Sequence, residues 1–145
     1  MGIERSAFLR TLRCGSSRET NAVCRERFPV LQEGVDEVKA ENAILDGEIV
    51  ALDPQGMPVF EGLRSGGKAR GCVIVFQVFD LLYLDGQSLV DERLIVRKRK
   101  LKKVLKKGAR RRFCYTDHVL KQGERFFAEL EKIGLEGMVA KKLVM

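Results

Sequence analysis

Ala43-Ile44-Leu45-Asp46-Gly47-Glu48-Ile49-Val50-Ala51-Leu52-Asp53 is the stretch on which the reading of this chain turns. Its apolar residues occupy odd and even positions alike, the pattern of a strand covered on two sides. Asp46 and Glu48, two residues apart, point to one face of such a strand. Removing a carboxylate from water costs several kcal/mol unless a cation, a metal or strong donors meet it, so such a group is expected against this pair. The plainer alternative is an acidic turn beside a core strand. Gly47 leaves space on the opposite face for a second backbone or a ligand to come close.

The 145 residues, 45% of them apolar, suffice for one domain with a real core. There are 27 Lys and Arg against 20 Asp and Glu, and the excess is concentrated: Arg93 to Arg112 holds twelve basic residues and no acidic one. The rest of the chain is therefore net acidic. A basic patch on an acidic body points to a polyanion such as nucleic acid, with a merely solvated basic helix as the alternative. Cys14, Cys24, Cys72 and Cys114 show no Cys-x-x-Cys spacing, and His118, the single histidine, completes no zinc set by local spacing. Reduced, structural cysteines in a cytoplasmic protein are expected. No signal peptide or membrane span is evident, since the longest apolar run, Val73 to Leu84, is interrupted by Gln77 and Asp80.

Outward from the central stretch, Val30, Leu31, Val35 and Val38 give a short helical pattern interrupted by Gly34. Asp53-Pro54-Gln55-Gly56 predicts a turn leading into a hairpin with Met57 to Phe60. Ser65-Gly66-Gly67-Lys68-Ala69-Arg70-Gly71 lacks the spacing of a phosphate-binding loop and reads as surface loop. Cys72 to Tyr83 is a second buried strand closed by Asp85-Gly86, with Val73, Val75, Gln77 and Phe79 on one face and Ile74, Phe76, Val78 and Asp80 on the other. Leu94, Leu101, Val104 and Leu105 predict a basic helix ending near Gly108. A second helix is predicted over Gly123 to Ile133, with Phe126, Phe127, Leu130 and Ile133 facing inward and Gly134 as its stop. Leu135-Glu136-Gly137-Met138-Val139-Ala140-Lys141-Lys142 then repeats the strand-like, carboxylate-Gly pattern of the first strand.

Three of these segments together resemble the third, intermediate and fourth signature motifs of ATP-dependent DNA ligases, in that family's order. They are Leu45-Asp46-Gly47-Glu48-Ile49-Val50, Val78-Phe79-Asp80-Leu81-Leu82-Tyr83-Leu84-Asp85-Gly86, and Gly134-Leu135-Glu136-Gly137-Met138-Val139-Ala140-Lys141. The similarity is to the adenylation domain of bacterial ligases of the polymerase-ligase repair type and is clearest over residues 18–142. The resemblance implies an α+β fold, antiparallel sheets flanked by helices. It also implies nucleotidyl transfer in which a lysine attacks the α-phosphate of ATP and expels pyrophosphate, leaving lysyl-AMP. The AMP then passes to a 5′-phosphate at a nick in duplex DNA, and the 3′-hydroxyl displaces it.

By similarity, Glu48 would contact the nucleotide sugar or the metal shell, and Phe79, or Phe76 in the same strand, would stack on adenine. Glu136 would help hold Mg2+, Lys141 would reach the phosphates, and Arg18 would stand for the motif that follows the nucleophile. A regular strand places Glu136 and Lys141 on opposite faces, so one site can use both only through a twist or bulge. The family's Lys-x-Asp-Gly nucleophile motif does not occur in these residues: Ile44 and Tyr83 stand two before the Asp-Gly pairs at Asp46 and Asp85. The chain also ends at Met145, before the family's last lysine motif and its oligonucleotide-binding-fold domain.

The expectation is therefore a partial adenylation domain over 1–145 that does not self-adenylate. Its partners would be nicked duplex DNA, with repair proteins or the missing ligase segments supplied in trans. The alternatives are a non-catalytic nucleic-acid-binding remnant and an RNA ligase or capping-type nucleotidyltransferase.

Overall fold

A strand of eleven residues meets one of twelve at the centre of the chain. In the computed structural model β2 (Asn42–Leu52) and β3 (Val73–Leu84) pair antiparallel along their lengths. The structure describes residues 11–15 (backbone only), 28–68, 71–108, 112–118 and 122–132. β1 (Thr11–Gly15) adds antiparallel to the far edge of β2. On the other edge of β3 sit β4 (Gln87–Ser88), antiparallel, and β5 (Phe113–Tyr115), parallel, so the expected antiparallel sheet acquires one parallel strand. Asp85 and Gly86 join β3 to β4 with φ of 43° and 94°. Both are left-handed, as a two-residue hairpin turn requires.

Burial alternates strictly along β2: Ala43, Leu45, Gly47, Ile49 and Ala51 are buried, and Ile44, Asp46, Glu48, Val50 and Leu52 are half-buried. The expected full burial on two sides is thus corrected to full burial of one face of β2, with both carboxylates on the other, half-buried face. The buried face packs against Ile74, Phe76, Val78 and Leu81 of β3, Phe113 of β5, and Leu101 and Val104 of helix α2 (Leu94–Val104). Leu31, Val35 and Val38 close the same core from a 3-10 helix, Pro29–Glu37, and the residue after it.

Gly34 does not interrupt that helix. A Cβ there would lie 2.3 Å from Phe113 Cδ2, so the missing side chain is what lets the helix settle on β5.

Three further expectations are corrected. Helix α2 ends at Val104 rather than near Gly108, because the chain turns extended at Leu105 to bridge Val38. Lys39 N–H donates to Val104 O at 2.7 Å, and Lys106 N–H donates to Glu37 O at 2.9 Å. The hairpin after Asp53 shrinks to the bridge Leu52–Pro58, held by Asp53 Oδ1 accepting from Gln55 and Met57 N–H, before helix α1 (Phe60–Arg64) begins. In helix α3 (Gly123–Lys132) no described residue is buried. Phe126 and Leu130 are half-buried and Phe127 is 39% exposed, so the described part of this apolar stripe is not buried as expected, and Ile133 and Gly134 lie outside the described residues. Gly66 and Gly67 close α1, with Gly67 N–H donating to Gly62 O at 2.8 Å, so that loop precedes no helix.

Candidate functional site

The two faces of β3 divide the acidic and aromatic residues that the sequence brings together. Asp80, 1% exposed, is turned to α2. Arg97 meets its two carboxylate oxygens in a fork, Nε to Oδ1 at 2.8 Å and Nη2 to Oδ2 at 3.0 Å. Leu81 N–H donates to Oδ1 at 2.8 Å, and Arg97 Nη1 donates to Glu92 O at 2.6 Å. The hydrogen bonds it donates to Asp80 push the Arg97 guanidinium pKa up, with burial opposing this. A buried carboxylate met by a bidentate arginine is fully engaged in holding helix to sheet.

The opposite face is half-exposed. Glu48 stands across from Gln77, and Gln77 across from Cys114, so the three residues form a row over β2, β3 and β5. Thr116 Oγ1 donates to Gln77 Oε1 at 3.2 Å. Burial of the Cys114 thiol pushes its pKa up, and the charge of Glu37 adds to this. Phe79 follows Gln77 on this face. The register passes from Gly47–Val78 to Asp46–Asp80, so Phe79 is the extra residue of a bulge. Bulges increase twist and re-aim side chains, and they recur beside functional sites.

Of the two phenylalanines that sequence left open, Phe76 has no exposed surface. It packs edge-on to Phe113 at 5.6 Å between ring centroids, inside the core, where no ligand can stack on it. Phe79 remains half-exposed. Gly47 is accounted for by packing: a Cβ there would meet Gln77 O at 2.3 Å and Phe76 Cζ at 2.8 Å. The close approach is that of a neighbouring backbone and ring on the core side, and the carboxylates point the other way.

Arg18, Glu136 and Lys141 lie outside the described residues, so the structure relates Glu48 to Phe79 and to neither of the basic candidates. Among the described residues no group of three or more His, Cys, Asp or Glu side chains is placed to hold a metal.

Sequence reasoning missed Glu37. Its buried carboxylate accepts from Arg112 N–H at 2.9 Å and from Phe113 N–H at 3.0 Å, fixing the start of β5. Only its place at the end of a helical pattern, among apolar residues, signalled it. Missed too were the inward turns of Arg97 and Lys98, the latter donating to Thr116 O at 2.6 Å and lying 4.9 Å from the Tyr115 ring centre.

The profile of the ATP dependent DNA ligase domain matches residues 15–145. The chain belongs to the ATP dependent DNA ligase domain family. It is similar to the multifunctional non-homologous end joining protein LigD of Mycobacterium bovis, at 34% identity over 131 residues, 90% of this chain and 16% of that protein. The ligase domain of M. tuberculosis LigD shares its fold, with a TM-score of 0.67 and 25% identity over 95% of this chain and 46% of the other. A mycobacterial DNA ligase D structure complexed with ATP and MES gives a TM-score of 0.61 at 24% identity, over 90% of this chain and 43% of the other. Against the first curated relatives the chain spans only 14% to 22% of their length. The ligase resemblance in the sequence and the α+β fold it implied are thus shown. Among the described residues no helix is long and apolar enough to cross a membrane.

Proposed function

We propose that this chain supplies part of the adenine-nucleotide site of an ATP-dependent DNA ligase, on the sheet face that carries Glu48 and Phe79. The observation that carries this reading is their juxtaposition. A carboxylate and a half-exposed aromatic sit on adjacent strands, on the open face, at a bulge within the segment matched by the ligase family. Neighbouring strands are about 4.8 Å apart, so a purine lying on Phe79 has its ribose within reach of Glu48. Stacking on an aromatic ring is worth about 1–3 kcal/mol per base, and a carboxylate accepting from a ribose hydroxyl adds orientation.

Glu136 and Lys141 are proposed to complete the site from the third motif, and Arg18 from the N-terminal side. Mg2+ would be held by Glu48 and Glu136 and would neutralise phosphate charge. The substrate is nicked duplex DNA; the ligase family match favours it over the RNA ligase and capping alternatives. Reduced thiols at Cys72 and Cys114 suit the reducing cytoplasm.

These residues hold no Lys-x-Asp-Gly nucleophile, so the chain is proposed to bind ATP without forming lysyl-AMP. Incubation with ATP labelled at the α-phosphate and Mg2+, followed by denaturing electrophoresis, tests this. No covalent label is expected, and a stoichiometric acid-labile adduct would show that some other lysine here attacks.

A further inference from the structure

The twelve basic residues between Arg93 and Arg112 do not form one uniform patch. Arg97, Lys98 and Arg112 turn inward, the last donating from Nη1 to Ile74 O at 3.2 Å. Arg99 and Lys103, four apart, lie on the outer side of α2, and Lys106 follows just beyond the helix; all three are exposed. Lys39 is brought beside them by the hydrogen bond of its N–H to Val104 O. With Lys102 and Lys107 these four line an open groove of about 790 Å³, which among the described residues is otherwise lined by Leu105. Among the described residues no acidic side chain lines it, and none of the ion pairs found there uses Lys39, Arg99, Lys103 or Lys106.

We infer that this groove grips the phosphate backbone of duplex DNA, independently of sequence, on the side of the sheet away from the nucleotide face. Like charges gathered in one groove repel each other, and a polyanion relieves that repulsion. Duplex DNA presents one negative charge per about 1.7 Å of axis, and helix positions three and four apart, separated by roughly 5–6 Å, offer cations on a comparable scale. The open form suits a backbone lying across it rather than an enclosed small ligand. An anionic membrane is the poorer partner, because surface-bound helices bury an apolar face in lipid. The apolar face of α2, with Leu94, Leu101 and Val104, is already spent on the protein core.

Because α2 packs against the Phe76 and Val78 side of β3, while Glu48, Gln77 and Phe79 occupy the other, the groove and the nucleotide face are separated by the sheet. The inference deepens the ligase reading by giving the duplex a hold remote from adenylate chemistry.

The test is the anisotropy of a short, labelled, unbroken duplex titrated with the full chain between about 50 and 200 mM salt. Each phosphate contact contributes about 0.9 to the slope of log K against log salt. The variant carrying Arg99→Gln, Lys103→Gln and Lys106→Gln is expected to lose about 2.7 from that slope while melting like the parent and binding ATP unchanged. The charge-preserving variant with Arg99→Lys, Lys103→Arg and Lys106→Arg is expected to keep it. An unchanged slope in the glutamine variant, no duplex binding by the parent, or stronger binding to phosphatidylserine vesicles or to polyglutamate than to duplex would overturn the inference. Loss of ATP binding alone, with the DNA slopes as expected, would strike only the nucleotide reading.

Discussion

Asp80 and Phe79 are chain neighbours, yet they face different worlds. Asp80 looks toward α2, where Arg97 and a backbone N–H satisfy its carboxylate and almost no surface is left exposed. Phe79 looks the other way, onto the half-exposed face that carries Gln77 and Glu48. A strand's period of two assigns adjacent residues to opposite environments, so one short motif can both fasten the fold and open a site. The same division separates Asp80 from Glu48, two carboxylates on adjoining strands. The first is part of the packing, and the second stands on the half-exposed face proposed for the nucleotide.

The largest way to break this contrast is to remove the cation on the closed side. Arg97→Ala leaves the Asp80 carboxylate buried against a missing partner and should cost about 3–5 kcal/mol in urea denaturation. A loss below about 1 kcal/mol would mean that the fork contributes little. Next is the glycine between the two acids. Gly47→Ala drives a methyl to 2.3 Å from Gln77 O and into the edge of Phe76, and should destabilise by about 1–3 kcal/mol without touching the open face. If its effect falls mainly on ATP affinity, the side assigned to Gly47 is wrong.

The smallest effect is expected at Cys114, beside Gln77. Burial raises its pKa in the folded state above that of the unfolded chain, so the thiolate form favours unfolding and stability falls as pH rises past the ordinary thiol range. Peptide-level mass spectrometry of alkylation should show Cys114 reacting half-maximally at a higher pH than after unfolding. Equal profiles would show that the open face is wetter at that end than the structure indicates.

The central pair of strands was legible from the sequence because hydrophobic period and turn chemistry are local. The strand Val73 to Leu84 is offset by one residue from the Cys72 to Tyr83 that pattern predicts, and the Asp85-Gly86 turn is where pattern places it. What was not legible depended on partners distant in sequence. Apolar residues at even positions of β2 imitated full burial on both sides, and only the folded sheet shows that α2 and the 3-10 helix pack on the face of the odd positions. β5 has three residues and earns its place by pairing with β3, a contact that no local period announces. Gly34 read as a break because its close approach to Phe113 is tertiary.

The basic run looked uniform because charge in a sequence carries no direction. Three of its members are structural, and the groove is built from five others, Arg99, Lys102, Lys103, Lys106 and Lys107, together with Lys39, more than fifty residues earlier. For the candidate site, the motif named Glu48 and Phe79, and burial chose Phe79 over Phe76.

The most direct test is calorimetric titration of ATP into the chain, its Glu48→Gln and Phe79→Ala variants, and, as the closed-side control, Arg97→Lys. Loss of the stacking ring or of the carboxylate is expected to weaken ATP by about 10-fold or more with melting unchanged, whereas Arg97→Lys lowers the melting temperature and leaves ATP affinity of the folded fraction intact. Equal ATP affinity in parent, Glu48→Gln and Phe79→Ala would contradict the assignment of the open face to the nucleotide.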